Sequence, residues 1–188
     1  MDIEKELKSL APQLTKEIEK AAASSHNEAE FRTKIAQQLE NLAQKVNLNL
    51  YLREEYTLVN GRADAVYNRL IIEYEPPNSL KPNNEHRTNQ HSISQVREYI
   101  NGLVRRERHK PERLAGVILD GSYFIFIRNK EGLFQIDPPL KVDDYSTEYF
   151  LKLLFSLSTE LALIPENLIR DFGENTNVSR KVVGNIFT

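Results

Sequence analysis

Three carboxylates lie close together near the middle of the chain, and their spacing points to metal-ion chemistry. Asp64 lies in a short β-prone run, and Glu73 and Glu75 lie two residues apart at the end of the next run. Because side chains alternate along a strand, Glu73 and Glu75 are predicted to share one face. Carboxylates grouped on an apolar strand repel each other and resist ionisation, a cost that a divalent cation would reduce. The other interpretation is the solvated face of a half-exposed strand.

The segments that carry these carboxylates predict a three-stranded antiparallel meander. Residues 50–59 form the first strand, and Asn60-Gly61 is a strong hairpin turn signal. Residues 67–69 have the turn chemistry for a second hairpin, which would bring the carboxylates of the two later strands together. Pro76 and the proline after it end the meander, because proline cannot continue a ladder of hydrogen bonds.

A helix is predicted before the meander, with Ser25 or Asn27 as its N-cap. Glu28 lies in line with the apolar stripe of this helix, whereas Glu30 is rotated away from it. Two interpretations of Glu28 are open: a functional carboxylate that faces the sheet, or a first-turn carboxylate that complements the helix dipole. The stripe residues recur three and four apart: Phe31, Ile35, Leu39, Leu42 and Val46.

A second helix, over residues 92–106, is predicted after a polar loop over residues 78–92. Ser92 is its predicted cap. Gln95 and Tyr99 lie four residues apart on one flank of the helix, so their side chains are neighbours. The buried stripe is predicted to be Ile93, Val96, Ile100 and Leu103.

Basic and imidazole side chains flank this second helix. Arg105 and Arg106 open a basic run that extends to Lys110. The run is either a phosphate-contacting surface or a favourable cation cluster at a helix C-terminus. His86 and His91, in the polar loop, are either solvated or ligands for a metal ion or a phosphate.

Strands are predicted again after the second helix. Residues 114–119 and 123–127 form a hairpin, and the first of these strands is apolar enough to be buried on both faces. A short strand over residues 133–136 follows. Pro138 and Pro139 are predicted to end the sheet.

Helices are predicted at both ends of the chain. The first segment is interrupted by Pro12, so it forms either two short helices or one kinked helix. Ser146 is predicted to cap a last long helix with Phe150, Leu154, Leu157 and Leu161 as its stripe. The apolar run over residues 182–188 needs a packing partner, which suggests a module of a longer protein.

Composition excludes several kinds of site. The 188 residues include no cysteine, so a disulfide framework and a thiolate metal site are excluded. With 25 basic and 27 acidic residues the net charge is -2, so a nucleic-acid surface must be local or helped by a metal ion or a neighbouring domain. No apolar run approaches the roughly 20 residues of a membrane span. The start of the chain does not resemble a signal peptide, so we expect a cytoplasmic protein without a membrane partner.

Taken in order, these segments resemble the PD-(D/E)XK nuclease superfamily over residues 27–128. Three motifs carry the resemblance: the 61–67 run leading to Ile-Ile-Glu-Tyr-Glu-Pro-Pro, the helix Gln95-Val-Arg-Glu-Tyr99, and a glutamate on the preceding helix. The match looks closest to nuclease domains that precede DNA methyltransferase domains in single-chain restriction-modification enzymes. The resemblance implies an α/β (α+β) fold with a restriction endonuclease-like αβββαβ core. Its central mixed sheet is flanked by helices, with extra N- and C-terminal helices.

The resemblance implies a catalytic role for each matching residue. Asp64 would be the central metal-bridging carboxylate, Glu73 the second ligand, and Glu28 the residue that holds a metal-bound water. The family's usual lysine falls at Glu75. This departure leaves open whether Glu75 acts as a base, binds a second cation or marks an inactive site. Gln95 would orient the attacking water or contact the substrate backbone.

The implied function is a Mg2+- or Mn2+-dependent DNA endonuclease, the cleavage module of a restriction-modification enzyme. Magnesium prefers oxygen ligands, lowers the pKa of a bound water and stabilises charge on a phosphate. The implied partners are double-stranded DNA, a methyltransferase or specificity domain in the same or another chain, and a second copy in a homodimer. Two other functions stay open: an inactive module of this fold that binds DNA or a partner methyltransferase, and a protein-interaction domain.

The resemblance also implies DNA contacts and a division of the chain. The implied DNA-contacting residues are Arg62, Arg97, Tyr99, Arg105 and Arg106. The implied domains are an N-terminal helical extension over residues 1–24, a nuclease-like domain over residues 25–162, and a C-terminal helical segment over residues 163–188.

Overall fold

The computed structural model describes residues 3–46, 50, 52–58 and 61–157, without the side chains of residues 3–4, 54–58 and 61–62. The helices are α1 Ile3–Ser24, α2 Glu28–Lys45, α3 Arg87–Glu107 and α4 Asp144–Ser156, with a 3-10 turn over Pro111–Arg113. The strands are β1 Leu52–Leu58, β2 Gly61–Tyr67, β3 Leu70–Tyr74, β4 Ala115–Leu119, β5 Tyr123–Lys130, β6 Leu133–Ile136 and β7 Leu140–Lys141. Within these residues, no helix is both long enough and apolar enough to cross a membrane.

One mixed sheet runs through the described part of the chain. Strands β1 to β6 lie side by side in chain order, and β7 pairs with β5. The β3–β4 pair is parallel, and the other pairs are antiparallel. A parallel pair needs a long crossover, which α3 provides. From α2 to β4 the elements follow the order αβββαβ, and the predicted α/β fold with a mixed sheet flanked by helices is confirmed.

Helices cover the two faces of the sheet. The first core cluster joins α1, α2 and α4 through residues such as Ile18, Phe31 and Phe150, and the second joins α3 through Val96 and Ile100. Every residue of β4 is buried, as predicted for a central strand. The two faces therefore have separate cores with the sheet between them.

Close packing of α3 on β4 depends on Gly116. A β-carbon at this position would lie 2.2 Å from Cγ1 of Val96, far inside van der Waals contact. The missing side chain lets α3 approach the sheet, which brings the side chains of its middle turns close to the end of β3.

Two predicted helix starts are wrong, and both errors come from capping. The α3 helix begins at Arg87 with His86 as its N-cap, so Ser92 lies inside the helix and is buried. The first turn is polar and is stabilised by Asn89. The buried side-chain amide of Asn89 accepts a hydrogen bond from the N–H of Lys81 and donates one to its carbonyl, which fixes the preceding loop against the helix. The N-cap of α4 lies three residues before the predicted cap: Asp143 is the N-cap, and Ser146 is the N3 partner in a capping box.

The prediction that the sheet ends at Pro138 and Pro139 is also wrong. The chain turns after the prolines, and Leu140 pairs with Phe124 of β5. A two-residue strand needs only a short run of backbone without proline, so the prolines interrupt the sheet without ending it.

The N-terminal segment forms one helix, α1, which continues through Pro12. Its buried residues, including Leu14 and Ile18, belong to the same core cluster as α2 and α4. The hydroxyl oxygen of Thr15 also lies 2.9 Å from that of Thr147 in α4, and the two hydroxyls form a hydrogen bond. The division into an extension over 1–24 and a domain over 25–162 stays a prediction, and residues 163–188 and the Asn60 turn lie outside the described part.

Candidate active site

The β2–β3 hairpin brings Asp64 beside Glu73. A tight turn at Asn68, whose φ of 54° is left-handed, sets the register that pairs Tyr67 with Leu70. Beyond the pair Ala65 and Ile72, hydrogen bonds from the backbone to side chains join the two strands. The N–H of Tyr74 donates to Oδ2 of Asp64 at 3.0 Å, and the N–H of Asp64 donates to the carboxyl group of Glu73. The predicted hairpin thus unites two of the three carboxylates.

The β2 strand is irregular at Asp64. Residues two apart in a strand normally face the same side, but Ala63 belongs to the core cluster under α3 and Ala65 to the cluster on the opposite face. The register with β1 is the same on both sides of Asp64, so no residue is inserted and the strand twists between Ala63 and Ala65. This irregularity turns the Asp64 carboxylate towards both its neighbouring strand and α2.

Glu73 is buried, with 7% of its surface exposed, and its Oε2 atom has no hydrogen-bond partner among the described residues. Burial, followed by the charges of Asp64, Glu75 and Glu28, raises its pKa from 4.5 to about 9. Without a cation, this carboxyl group is neutral at pH 7. A bare carboxyl oxygen facing other carboxylates is the arrangement that a cation would stabilise.

The structure distinguishes the two glutamates at the start of α2. Glu30 accepts the N–H of His26 at 2.9 Å, and the N–H of Glu30 donates to Asn27 at 2.9 Å. Glu30 is therefore part of the helix cap. Glu28 faces the site instead: burial, then the charges of Asp64 and Glu75, raise its pKa, while Arg32 opposes the change.

Glu75 is the first residue after β3, and its N–H donates to the carbonyl of Leu119 at 3.0 Å. Its carboxyl group forms a short hydrogen bond with the hydroxyl of Ser92 on α3. Burial is the main cause that raises the pKa of Glu75, whereas the bond to Ser92 and the charge of His91 lower it. Glu75 therefore lies where the end of β3 meets α3, and its pKa is raised overall because burial outweighs the effects of Ser92 and His91.

Gln95 and Tyr99 face the carboxylates from the middle of α3. Their side chains are hydrogen-bonded to each other, as the spacing predicted. Burial, followed by the charges of Glu73 and Asp64, raises the pKa of Tyr99 to about 12. The Tyr99 hydroxyl therefore keeps its proton at neutral pH and is a hydrogen-bond donor beside the carboxylates.

Arg32 is a site residue that the sequence analysis did not identify. Its Nη1 atom lies 3.0 Å from Oδ1 of Asp64. One turn separates Arg32 from Glu28, so both side chains lie on the face of α2 that looks towards the end of β3. The available signal was this four-residue spacing, which placed an arginine beside a glutamate already aligned with the core stripe.

The implied DNA-contacting arginines of α3 lie outside this group. The guanidinium of Arg97 lies 5.0 Å from the ring centroid of Phe134. Arg105 and Arg106 are exposed in the last turn of α3, about 15 Å along the helix from Gln95 at 1.5 Å per residue. The side chain of Arg62 lies outside the described part.

The two loop histidines have different surroundings. The ring Nδ1 of His86 accepts the N–H of Thr88 at 3.3 Å, so His86 acts as the α3 cap. His91 is exposed, and its charge acts on Glu75. Of the two, His91 therefore lies at the edge of the carboxylate group.

The carboxylates do not form a ready-made metal cage. Within the described residues, no group of three or more His, Cys, Asp or Glu side chains is arranged to hold a metal ion. Both oxygens of Asp64 already accept hydrogen bonds, Oδ1 from Arg32 and Oδ2 from the N–H of Tyr74. Magnesium commonly takes only one or two carboxylates, with water and phosphate oxygens as its other ligands. Asp64 together with the unpartnered oxygen of Glu73 fits that smaller requirement.

No family model matches the chain, and no curated protein or solved structure matches it either.

Proposed function

We propose that this protein is a DNA endonuclease that hydrolyses phosphodiester bonds with Mg2+ or Mn2+ held by Asp64 and Glu73. The buried Oε2 atom of Glu73, which has no partner among the described residues, carries the proposal. A carboxylate is costly to bury without a cation or donor, and the raised pKa of Glu73 reflects that cost. A divalent cation between Glu73 and Asp64 would remove it.

The chain's own residues divide the remaining work. When bound, the cation neutralises phosphate charge and makes a coordinated water more acidic. Glu28, half-buried on α2, holds ordered water at the rim of the site. Glu75 accepts a proton, because burial raises its pKa and so makes it a stronger base than an ordinary glutamate. Gln95 and the protonated Tyr99 donate hydrogen bonds to the substrate backbone.

DNA is the proposed substrate because of motif order and local charge. The order of the Asp64, Glu73 and Gln95 motifs along the αβββαβ core resembles that of nucleases acting on DNA. Arg32 lies within the site, and Arg105 and Arg106 form an exposed basic end on the same helix as Gln95. A restriction-modification context, with a methyltransferase partner and a homodimer that cuts both strands, belongs to the same proposal.

Isosteric variants test the proposal. Purified protein is expected to nick or cut DNA with Mn2+ or Mg2+, while Asp64→Asn and Glu73→Gln abolish cutting. Glu40→Gln is the matched control, because it removes one exposed carboxylate from α2. Because the recognition sequence is unknown, the substrate should be mixed genomic DNA. Manganese binding is measured independently by electron paramagnetic resonance, and wild-type protein that binds no manganese would refute the proposal.

A second candidate function is an inactive module of the same fold that binds DNA or a partner methyltransferase. The observation that favours it is Glu75, which takes the place of the family's usual lysine and is engaged by Ser92. This module would retain duplex DNA in the presence of EDTA and would cut no substrate with any divalent ion. An endonuclease would instead bind manganese and lose both binding and cutting in Glu73→Gln.

A further inference from the structure

We propose that Arg32 occupies the cation's place at Asp64 and passes to a substrate phosphate when a divalent cation binds. The inference rests on the proposed function, because it concerns the same carboxylates and the same cation. Nη1 of Arg32 lies 3.0 Å from Oδ1 of Asp64, with 19% and 16% of the two side chains exposed. The ion pair is thus largely shielded from water and is an integral part of the site.

Arg32 and a cation compete for one carboxylate. The N–H of Tyr74 already occupies Oδ2 of Asp64, and Arg32 occupies Oδ1. A guanidinium and a divalent ion that both lie against Oδ1 repel each other strongly, because the two positive charges are at short range in a partly buried site. Binding of the cation therefore favours movement of Arg32 away from Oδ1.

Arg32 competes with the cation for Asp64 but not for Glu73. Arg32 supplies one positive charge beside four carboxyl groups, and its guanidinium lies 3.0 Å from one of them, Asp64. The Oε2 atom of Glu73 also keeps no partner within the described residues. Arg32 therefore neutralises the Asp64 side of the site and leaves the Glu73 side for a doubly charged ion.

A displaced Arg32 has a natural new partner in a phosphodiester. The planar guanidinium binds two oxygens of a phosphate at once, which an ammonium group does not. Since α2 fixes the Cα of Arg32 beside the carboxylates, the released side chain stays within reach of a substrate bound there. The cation and DNA then increase each other's affinity. The cation releases Arg32 from Asp64 so that it can bind phosphate, and the phosphate keeps Arg32 away from the Asp64 oxygen that the cation binds.

Manganese affinity tests the competition. Arg32→Gln is expected to bind Mn2+ roughly tenfold more tightly than the wild type, because one repelling charge and one competing donor are lost. Lys45→Gln removes one charge at the far end of α2, about 20 Å away at 1.5 Å per residue, and is expected to match the wild type. Equal or weaker binding by Arg32→Gln would overturn the inference, since a purely structural ion pair predicts that direction. Wild-type protein that binds no Mn2+ would instead refute the proposed function itself.

DNA affinity tests the transfer to phosphate. Calcium takes the same oxygen ligands, and its effect on binding of a short labelled duplex is measured by fluorescence anisotropy at low salt. Calcium is expected to tighten duplex binding more in the wild type than in Arg32→Gln. If circular dichroism shows that Arg32→Gln is unfolded, Arg32→Lys serves instead, with wild-type cation affinity and a smaller calcium effect expected. An equal calcium effect in the variant tested and the wild type would overturn the transfer.

Discussion

The hydroxyl of Ser92 forms a short hydrogen bond with the carboxyl group of Glu75, and Ser92 also lies 3.1 Å from the carbonyl of Thr88. A hydroxyl has one proton to donate, so it cannot donate to both groups. When Glu75 is protonated, it can donate to Ser92 while Ser92 donates to Thr88. When Glu75 is ionised, Ser92 donates to Glu75. The bond between α3 and the end of β3 therefore persists in both states, with its polarity reversed.

Ser92→Ala is expected to shift the pH dependence of DNA cleavage. The bond from Ser92 lowers the pKa of Glu75, so its loss raises that pKa and moves the acid limb of the profile to higher pH. Alanine is the best helix former, and α3 should remain folded. The measurement is the cleavage rate against pH, with Ser94→Ala, an exposed position on the same helix, as the control. An unchanged acid limb would show that Glu75 does not limit the rate.

Protein stability without metal is expected to fall as the pH rises. The folded-state pKa of Glu73 is raised from 4.5 to about 9, so its stabilising contribution is complete below pH 4.5 and is lost as the pH approaches 9. The slope from this group is at most about 1.4 kcal/mol per pH unit. Urea unfolding in EDTA at pH 5 and pH 8 should show this loss in the wild type and in Glu40→Gln. The free energy of unfolding of Glu73→Gln should fall less between these two pH values than that of the wild type. An equal fall would contradict the raised pKa of Glu73.

Manganese binding is expected to release about one proton at pH 7, because Glu73 is protonated in the metal-free protein and a ligand carboxylate must be ionised. Calorimetry in two buffers with different ionisation enthalpies gives the number of protons released. The value should fall towards zero above pH 9. Release of no proton at pH 7 would mean that the cation does not bind Glu73.

Glu75→Lys introduces the lysine that PD-(D/E)XK nucleases, which the chain resembles, usually carry at the matching position. We expect retained manganese binding, because Asp64 and Glu73 are unchanged, and retained or altered cleavage. Both are measured on one preparation, by paramagnetic resonance and by cutting of genomic DNA. Loss of both properties in a folded variant would count against the assignment of Asp64 and Glu73 as ligands.

Local patterns explain which parts of the fold were predictable. The meander from β1 to β3 and the β4–β5 hairpin follow from alternation of apolar residues and from turn residues such as Asn68. The start of α3 was missed because its first turn is polar and depends on Asn89, whose partners lie across a loop. The strand β7 has only two residues and carries no pattern of its own.

The candidate site could be predicted only in part, because some of its contacts join residues that are far apart in the chain. Glu73 and Asp64 lie in one hairpin, so their proximity follows from short-range register. The pairing of Arg32 with Asp64 joins α2 to β2 across the fold, and an arginine on the flank of an amphipathic helix usually indicates solvent exposure. The stripe spacing already distinguished Glu28 from Glu30, but the hydrogen bonds that place Glu30 in the helix cap with Asn27 could not be predicted from the spacing.

The site draws its side chains from α2, from the β2–β3 hairpin and from α3, and these three parts are far apart in the chain. Contacts of such long sequence separation form late, because the loops between them must close first. Glu28, Asp64 and Glu73 all leave the ribosome before Gln95 and Tyr99. A growing chain that ends before α3 therefore carries every carboxylate of the site but lacks Gln95 and Tyr99, so the site is completed only after α3 has been synthesised.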